Sequence, residues 1–464
     1  MKIYLQKIAC IATLVVLGTM LLAGCGGGSA PAAGGGAAAG GGGAGGGGGG
    51  AAAPAGGGTE AASPGEPRIL TMWSWALGNY ALAFDAFFDA HDVDYILDDI
   101  TVAADDYITR LQTTFAAGGD MPDILLAEIG WRAVSFRLGI WENLEAAPYN
   151  LDRSLLMDFA IGINTGPGGY IVGLENGLNP VAIAYKRDLM LEWFGTDSRE
   201  ELEAIFQTAD DFITVGRDLY ERSGGTMTLF AGPQDITNMM LNQQRHISNV
   251  DTDGNIYISS KIRPILGALE EKRAANVFGN LTMWSSAWAA NHNESSSVLF
   301  PVPPWGVPAI LVPNDPHGDG NWGMFTPPGG SFGWGGTSYG IFNGSDMKDE
   351  AWEFLSWVFL SHEGADAVKR YVGVFLPVLS LFEDPEYTRG THRFFGEQQI
   401  YEFMMEELAP TIPMAALSIY DSMITDSLNM IAEVMLVDHS VTAEEAFDRF
   451  MQDLQLRVPD TLVR

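Results

Sequence analysis

Residues 26 to 58 are glycine, alanine, serine and proline and nothing else. Such a run has no large apolar side chain to bury, so it cannot contribute to a core. With Thr59 to Pro67 it makes a linker of some 40 residues, and a Gly-rich coil of that length reaches ~35–40 Å root mean square. The fold must therefore come from Arg68 to Arg464. Composition allows it: 47% of the 464 residues are hydrophobic and 11% aromatic, which excludes global disorder. The length is compatible with about two to four domains. The 58 acidic residues outnumber the 25 basic ones, for a net charge of −33. Phosphate backbones would repel such a chain, so no nucleic-acid partner is expected, nor binding to anionic lipid through a basic patch.

The residues before the linker read as an address. Lys2 and Lys7 precede an uncharged, mostly apolar run from Ile8 to Leu22, which has signal-peptide length and is short for a membrane span. It ends in Leu22-Ala23-Gly24-Cys25, which resembles a bacterial lipobox. On that reading residues 1–24 are a lipoprotein signal peptide and 25–67 a flexible tether. Cys25 carries the lipid, and the body works at the extracytoplasmic face of the membrane, held by the lipid anchor only. Cys10 and Cys25 are the chain's two cysteines, so no disulfide framework and no cysteine-ligated metal is expected in the body. Seven histidines without an HExxH pattern give no zinc site. No cofactor is expected.

From Arg68 onward strands and helices alternate. Ile69 to Trp73 reads as a strand, Ala81 to His91 as a helix, Ile100 to Val102 as a strand, Asp105 to Ala117 as a helix and Pro122 to Leu126 as a buried strand. Such βαβ alternation points to an α/β fold with a mainly parallel sheet. A strand near Val181 to Tyr185 and a helix from Arg187 to Trp193 continue the pattern. Thr208-x-x-Asp211 caps another helix. Lys261 to Ala275 reads as a helix with Pro264 in its first turn. Residues 300 to 336, rich in proline, glycine and tryptophan, read as one long irregular stretch. Helices are expected again at 348–360, 398–408, 419–436 and 443–456.

Several segments, in order, resemble the family 1 extracellular solute-binding proteins of ABC importers, the maltose-binding-protein-like group. They are Leu70-Thr71-Met72-Trp73-Ser74-Trp75, Asp105-Asp106-Tyr107 with Ala116 to Ile124, Pro180 to Asp188, Gly333 to Ser338, and Ala351 to Leu355 with Glu363-Gly364. The resemblance implies a two-lobed periplasmic-binding-protein-like fold of type II. Each lobe would be a mainly parallel sheet flanked by helices, with the ligand in the cleft between. Lobe one would be 68–177 plus 338–376. Lobe two would be 178–337 plus 377–464, including the closing C-terminal helices. The implied function is capture of a carbohydrate, an oligosaccharide, for an ABC transporter permease by a monomeric binding protein without catalysis.

A sugar presents C–H faces, which an aromatic ring covers, and hydroxyl edges, which carboxylates and amides bind. Trp141, Trp193, Trp352 and Trp357 fall in apolar patterns and read as core. Trp73 and Trp75 end a strand, where ligands of open α/β sheets gather, and alternation sends one of them to the cleft. Glu128 and Trp131 follow the end of the next buried strand. Trp284 and Trp288 stand four apart, Trp334 and Thr337 lie in the second crossover, and Glu175 and Asn176 in the first. Tyr420 resembles an aromatic position on the family's third ligand-facing segment. These are the expected ligand-binding residues. The alternative ligand is a polyamine or a peptide, since carboxylates also pair with ammonium groups. The alternative class is an anchored hydrolase, resting on Gly336-x-Ser338-x-Gly340. That motif needs a helix straight after it, whereas Tyr339 to Phe342 reads as a strand. Asn249 to Gly254 matches part of a calcium loop, but Ser260 stands where the bidentate Glu should be.

Overall fold

The computed structural model describes residues 67–75 and 77–464. The expected signal peptide, the lipidation site at Cys25 and most of the tether lie outside the described residues. Among the described residues no helix is long and apolar enough to cross a membrane.

Among the described residues eight strands form two sheets. The first runs β2-β1-β3-β8-β4, from β1 (Arg68–Ser74), β2 (Tyr95–Thr101), β3 (Ile124–Glu128), β4 (Leu174–Glu175) and β8 (Thr337–Ile341). The connections bearing α1 (Tyr80–Ala90) and α2 (Ala104–Ala116) make β1 parallel to β2 and β3. β2 begins well before the expected Ile100. It is an edge strand with Ile96 and Ile100 exposed, and Asp98-Asp99 interrupts its apolar pattern. β8 arrives from the second sheet and runs antiparallel to both β3 and β4. α11 (Lys348–Leu360) and α12 (His362–Val372) then pack on α1, and Phe84, Phe87, Phe354 and Phe359 meet in the core between them.

The second sheet, β6-β5-β7, comprises β5 (Ala182–Lys186), β6 (Leu299–Val302) and β7 (Trp322–Phe325). Both pairings are antiparallel, which corrects the expectation of a mainly parallel sheet here. A short single-helix crossover favours parallel pairing of the strands it joins, but β5 and β6 are separated by a whole layer of helices, and a connection of that length can return the chain in either direction. β6 and β7 reach β5 through long connections that impose no direction. β5 is buried on both faces, as a central strand should be. Ala182 and Ala184 join the core that continues from the first lobe, while Ile183 and Tyr185 join a second core. β5 leads into α5 (Arg187–Phe194), α6 (Arg199–Ile205) and α7 (Asp211–Arg222). The second core also takes apolar faces of α8 (Pro233–Gln243) and α9 (Ser259–Ala274). The C-terminal helices α13 (Asp421–Val437) and α14 (Ala443–Arg457) pack on this helical layer. α9 starts before Lys261, so Pro264 lies in its second turn and not its first.

The 300–336 stretch is more ordered than expected. It contains the end of β6, a wide helical turn over Val307–Leu311, and β7. A buried ion pair, Lys186 Nζ to Asp315 Oδ2 at 3.2 Å, pins it to β5. Trp322, fully buried, donates its Nε1–H to the same oxygen at 3.0 Å.

Residues 176–181 and 326–336 connect the sheets, and the two connections pair with each other. Asn176 N–H donates to Thr337 O at 3.0 Å and Trp334 N–H to Asn179 O at 3.1 Å. Leu178 N–H reaches Phe375 O at 2.8 Å, bringing a third segment alongside.

Candidate functional site

β1 and β3 are parallel, so their C-terminal ends emerge on one edge of the first sheet. β1 delivers Trp75 there, and β3 delivers Glu128 and then Trp131. The Trp131 ring stacks on Tyr107 at 5.2 Å and 21°, and Trp75 stands edge-on to both, 5.7 Å from Trp131 and 5.2 Å from Tyr107. Tyr107 is fully buried on α2, and its hydroxyl accepts the Leu126 N–H at 3.0 Å. It is a fixed backing for the two half-buried indoles. Trp73 is not part of this group. It is 5% exposed, in the core, with the Arg110 guanidinium 4.3 Å from its ring. Alternation alone would put residues two apart on the same face; the two part because β1 ends at Ser74, so Trp75 stands in the turn beyond the strand that buries Trp73.

The half-buried Glu128 accepts the Gly130 N–H at 2.6 Å. Burial pushes its carboxyl pKa up, while that hydrogen bond and the charges of Arg245 and Arg132 pull it back. Arg245 follows α8, and its carbonyl accepts the Ala416 N–H at 3.0 Å. Its charge also counteracts the burial of Asp421. A guanidinium from the second lobe therefore shares a field with a carboxylate from the first.

A second ring group gathers four tryptophans. Trp284 stacks on Trp305 at 6.4 Å and 17°, and Trp334 lies 5.7 Å from Trp305 and 6.1 Å from Trp284. Trp305 Nε1–H donates to Trp334 O at 2.9 Å. Trp284 is 60% exposed and holds φ +69°, a backbone state that is costly for a bulky side chain. Trp288, on α10 (Ser286–Glu294), lies 5.2 Å from Trp284. It is only 6% exposed, packed with Ala231 and Ile310. It is a floor under the group, not a contact surface, and the Ser285 N-cap, which accepts the Trp288 N–H, fixes the start of its helix.

The crossover candidates are occupied by the protein itself. Glu175 is buried and pairs with Arg132 at 2.6 Å. Asn176 Oδ1 accepts the Thr337 N–H at 2.9 Å, and Thr337 is itself buried. The Tyr420 hydroxyl meets Thr461 Oγ1 at 3.1 Å, and its ring packs on the second core. Glu175, Asn176, Thr337 and Tyr420 thus hold the framework and do not join the ring groups. Tyr107, Trp305, Arg132 and Arg245 are the additions. Tyr107 sits in the Asp-Asp-Tyr motif and Trp305 in the Pro/Trp-rich stretch, so both had a signal in the sequence. The two arginines had none.

Ser338 lies inside β8, fully buried, with no hydrogen-bond partner for Oγ among the described residues. The strand–turn–helix geometry of a nucleophile elbow is not formed there. Asp251 Oδ1 accepts the N–H of Asp253 and of Asn255, both at 2.9 Å, and closes a turn. Among the described residues no cluster of three acidic, His or Cys side chains is placed to hold a metal. A surface hollow of about 500 Å³ is lined by Arg187, Arg199, Glu402 and Glu407. It includes none of these rings, and Arg199 there is already paired with Glu203 and Glu407.

No family model matches the chain. An arabinooligosaccharide-binding protein of Halalkalibacterium halodurans is 23% identical over 251 residues, 51% of this chain. The match spans 55% of that relative, about half its length. Among solved structures, an extracellular solute-binding protein family 1 member superposes with a TM-score of 0.69 at 19% identity, covering 84% of this chain and 99% of that one. The galacto-N-biose/lacto-N-biose I-binding protein of Bifidobacterium longum, in complex with lacto-N-biose, gives 0.68 at 16%, over 86% and 100%. An ABC substrate-binding protein of Listeria monocytogenes, in complex with cycloalternan, gives 0.67 at 17%, over 85% and 99%. The chain shares the two-lobed α/β fold of these solute-binding proteins.

Proposed function

We propose that this chain is an extracytoplasmic solute-binding protein that captures an oligosaccharide and hands it to the permease of an ABC importer. The observation that carries the reading is the pair of ring groups. Trp75 and Trp131 stand at the strand ends of one lobe, and Trp284, Trp305 and Trp334 stand beside the connection between lobes, each group with part of its indole surface open. Flat apolar faces, with Glu128 beside the first group and the charge of Arg245 felt at that carboxylate, suit a sugar, whose rings need cover and whose hydroxyls need both acceptors and donors. The sugar ligands of the relative and of the solved neighbours support the same class. The positive charge of Arg245, which counteracts the burial of Glu128, argues against a polyamine. The buried Ser338 argues against hydrolysis. Attachment through a lipid on Cys25 and action as a monomer complete the proposal.

Calorimetric titration with a panel of mono- and oligosaccharides, polyamines and short peptides tests it. Heat of binding is expected with oligosaccharides. Binding of polyamines or peptides alone would overturn the carbohydrate reading. Fractionation of cells making Cys25→Ser tests the anchor, since that variant should appear in the soluble fraction.

A further inference from the structure

Arg132 opens α3 (Arg132–Phe136), directly after Trp131, and its side chain is completely buried. Its guanidinium is tied on three sides. Nε–H donates to Ala127 O at 3.1 Å, Nη2–H to Gly336 O at 3.0 Å and Nη1–H to Glu175 Oε2 at 2.6 Å. Asn164 at the end of α4 (Asp158–Asn164) adds a longer bond to the same Glu175 oxygen, at 3.3 Å. One side chain therefore joins the end of β3, the short strand β4 and the connection that enters β8. The approach is close. Gly336 has φ +120°, and a Cβ there would stand 2.5 Å from Glu175 Oε1.

A buried ion pair is a weak device for stability, because desolvation offsets most of the attraction. What a planar, multidentate fork supplies is fixed geometry. The groups it fixes are the two arms of the candidate site. Ala127 is followed by Glu128 and Trp131, and Gly336 lies between Trp334 and Thr337. The guanidinium spends its donors on these framework groups and stacks on no ring of either tryptophan group among the described residues.

We propose that Arg132 is a positioning residue for the ligand site. Its fork holds the arm bearing Glu128 and Trp131 and the arm bearing Trp334 at one separation, and it welds β4 and the entry to β8 onto the first lobe. Bending between the lobes is then confined to residues beyond the clasp, 176–181 and 326–335. The ligand-site part rests on the carbohydrate reading, while the clasp has a readout of its own.

That readout is hydrogen exchange of the full chain, followed by mass spectrometry. The Ile129 N–H is bonded to Gly336 O at 3.0 Å and the Asn176 N–H to Thr337 O at 3.0 Å. In an Arg132→Met/Glu175→Met double variant, which replaces the buried pair by apolar groups of similar length, both amides should exchange about tenfold faster or more, while protection elsewhere stays as in wild type. Binding of arabinotriose, maltotriose or lacto-N-biose, whichever the wild type takes, should weaken about tenfold. Arg132→Lys should fall between, because an ammonium cannot reach three partners in the fork's geometry. Unchanged exchange at these two amides, or acceleration spread evenly over the chain, would overturn the proposal. So would wild-type affinity in the double variant. A wild-type chain that binds none of the three sugars, with the exchange changed as expected, refutes their use as ligands and leaves the clasp standing.

Discussion

Trp288 and Trp334 belong to one ring group yet should respond oppositely to truncation. Trp288 is 6% exposed and packs on Ala231 and Ile310. Trp288→Ala should therefore cost about 3–5 kcal/mol of folding stability, the usual result of emptying a buried aromatic site. Trp334 is half-buried, resting on the second core with one side and adjoining the open indole of Trp284 with another. Trp334→Ala should cost ~1–3 kcal/mol of ligand binding and less stability than Trp288→Ala. Urea melts and calorimetry on both variants separate the two, and a reversed pattern would show that the face open to ligand has been misassigned. Asp235 offers a pH test. It is 4% exposed, and its Oδ2 accepts the N–H of Ala231 at 3.1 Å and of Gly232 at 3.2 Å at the start of α8. Burial outweighs both bonds and pushes its pKa up from 3.8 to about 7. Between those values the folded chain holds a proton that the unfolded chain has released. The stability this contributes is fully present below the unfolded pKa and is lost as pH rises through about 7, on the order of 2–4 kcal/mol. Asp235→Asn keeps an acceptor without the charge, so its stability should change less between weakly acidic and weakly alkaline buffer. An equal pH slope in variant and wild type would remove Asp235 as its source.

The elements explain a motif that the sequence offered as chemistry. In β8 a Cβ on Gly340 would stand 2.3 Å from Val172 O and 2.7 Å from the Trp141 ring, so the last glycine of Gly-x-Ser-x-Gly serves backbone packing. Gly340→Ala should destabilise by about 1–3 kcal/mol through overpacking. Ser338→Ala should leave stability unchanged or raise it by about 1 kcal/mol, because it removes a buried hydroxyl that has no partner among the described residues. Equilibrium unfolding of the two variants checks this, and a large loss in Ser338→Ala would show an undetected partner for the hydroxyl. The same contrast marks what the sequence could tell. β1, β3, α1 and α2 are legible because their apolar periods are local, and Gly118-Gly119 and Pro122 mark the end of α2 and the approach to β3. The direction of β6 and β7 is not, since pairing across long connections leaves no local pattern. At the site, Trp131 could be found from its place after a strand end. Glu175 looked equally open, but its fate is decided by Arg132, 43 residues earlier, which no spacing rule connects to it.

For the whole molecule, two sheets with separate helical layers are joined by 176–181 and 326–336, with the Phe375 segment alongside. Connections this few permit rotation of one lobe against the other, by small changes at a handful of residues. A ligand favours the closed arrangement only through contacts it makes there and not in the open one. Trp75 and Trp131 belong to the first lobe, and Trp284 and Trp305 to segments flanking β6 of the second, so a sugar chain that touches both ring groups gains contacts only on closure. Binding should therefore shift tryptophan emission, as open indoles lose water, and should reduce the radius of gyration measured by small-angle X-ray scattering. It should also raise the melting temperature, since ligand at 100 times Kd adds ~2.7 kcal/mol to the native state. The three readouts separate mechanisms. A higher melting temperature with an unchanged radius would mean that the sugar sits on one lobe alone, with the second ring group serving another purpose. A smaller radius without an emission shift would mean closure over a surface that does not include these tryptophans.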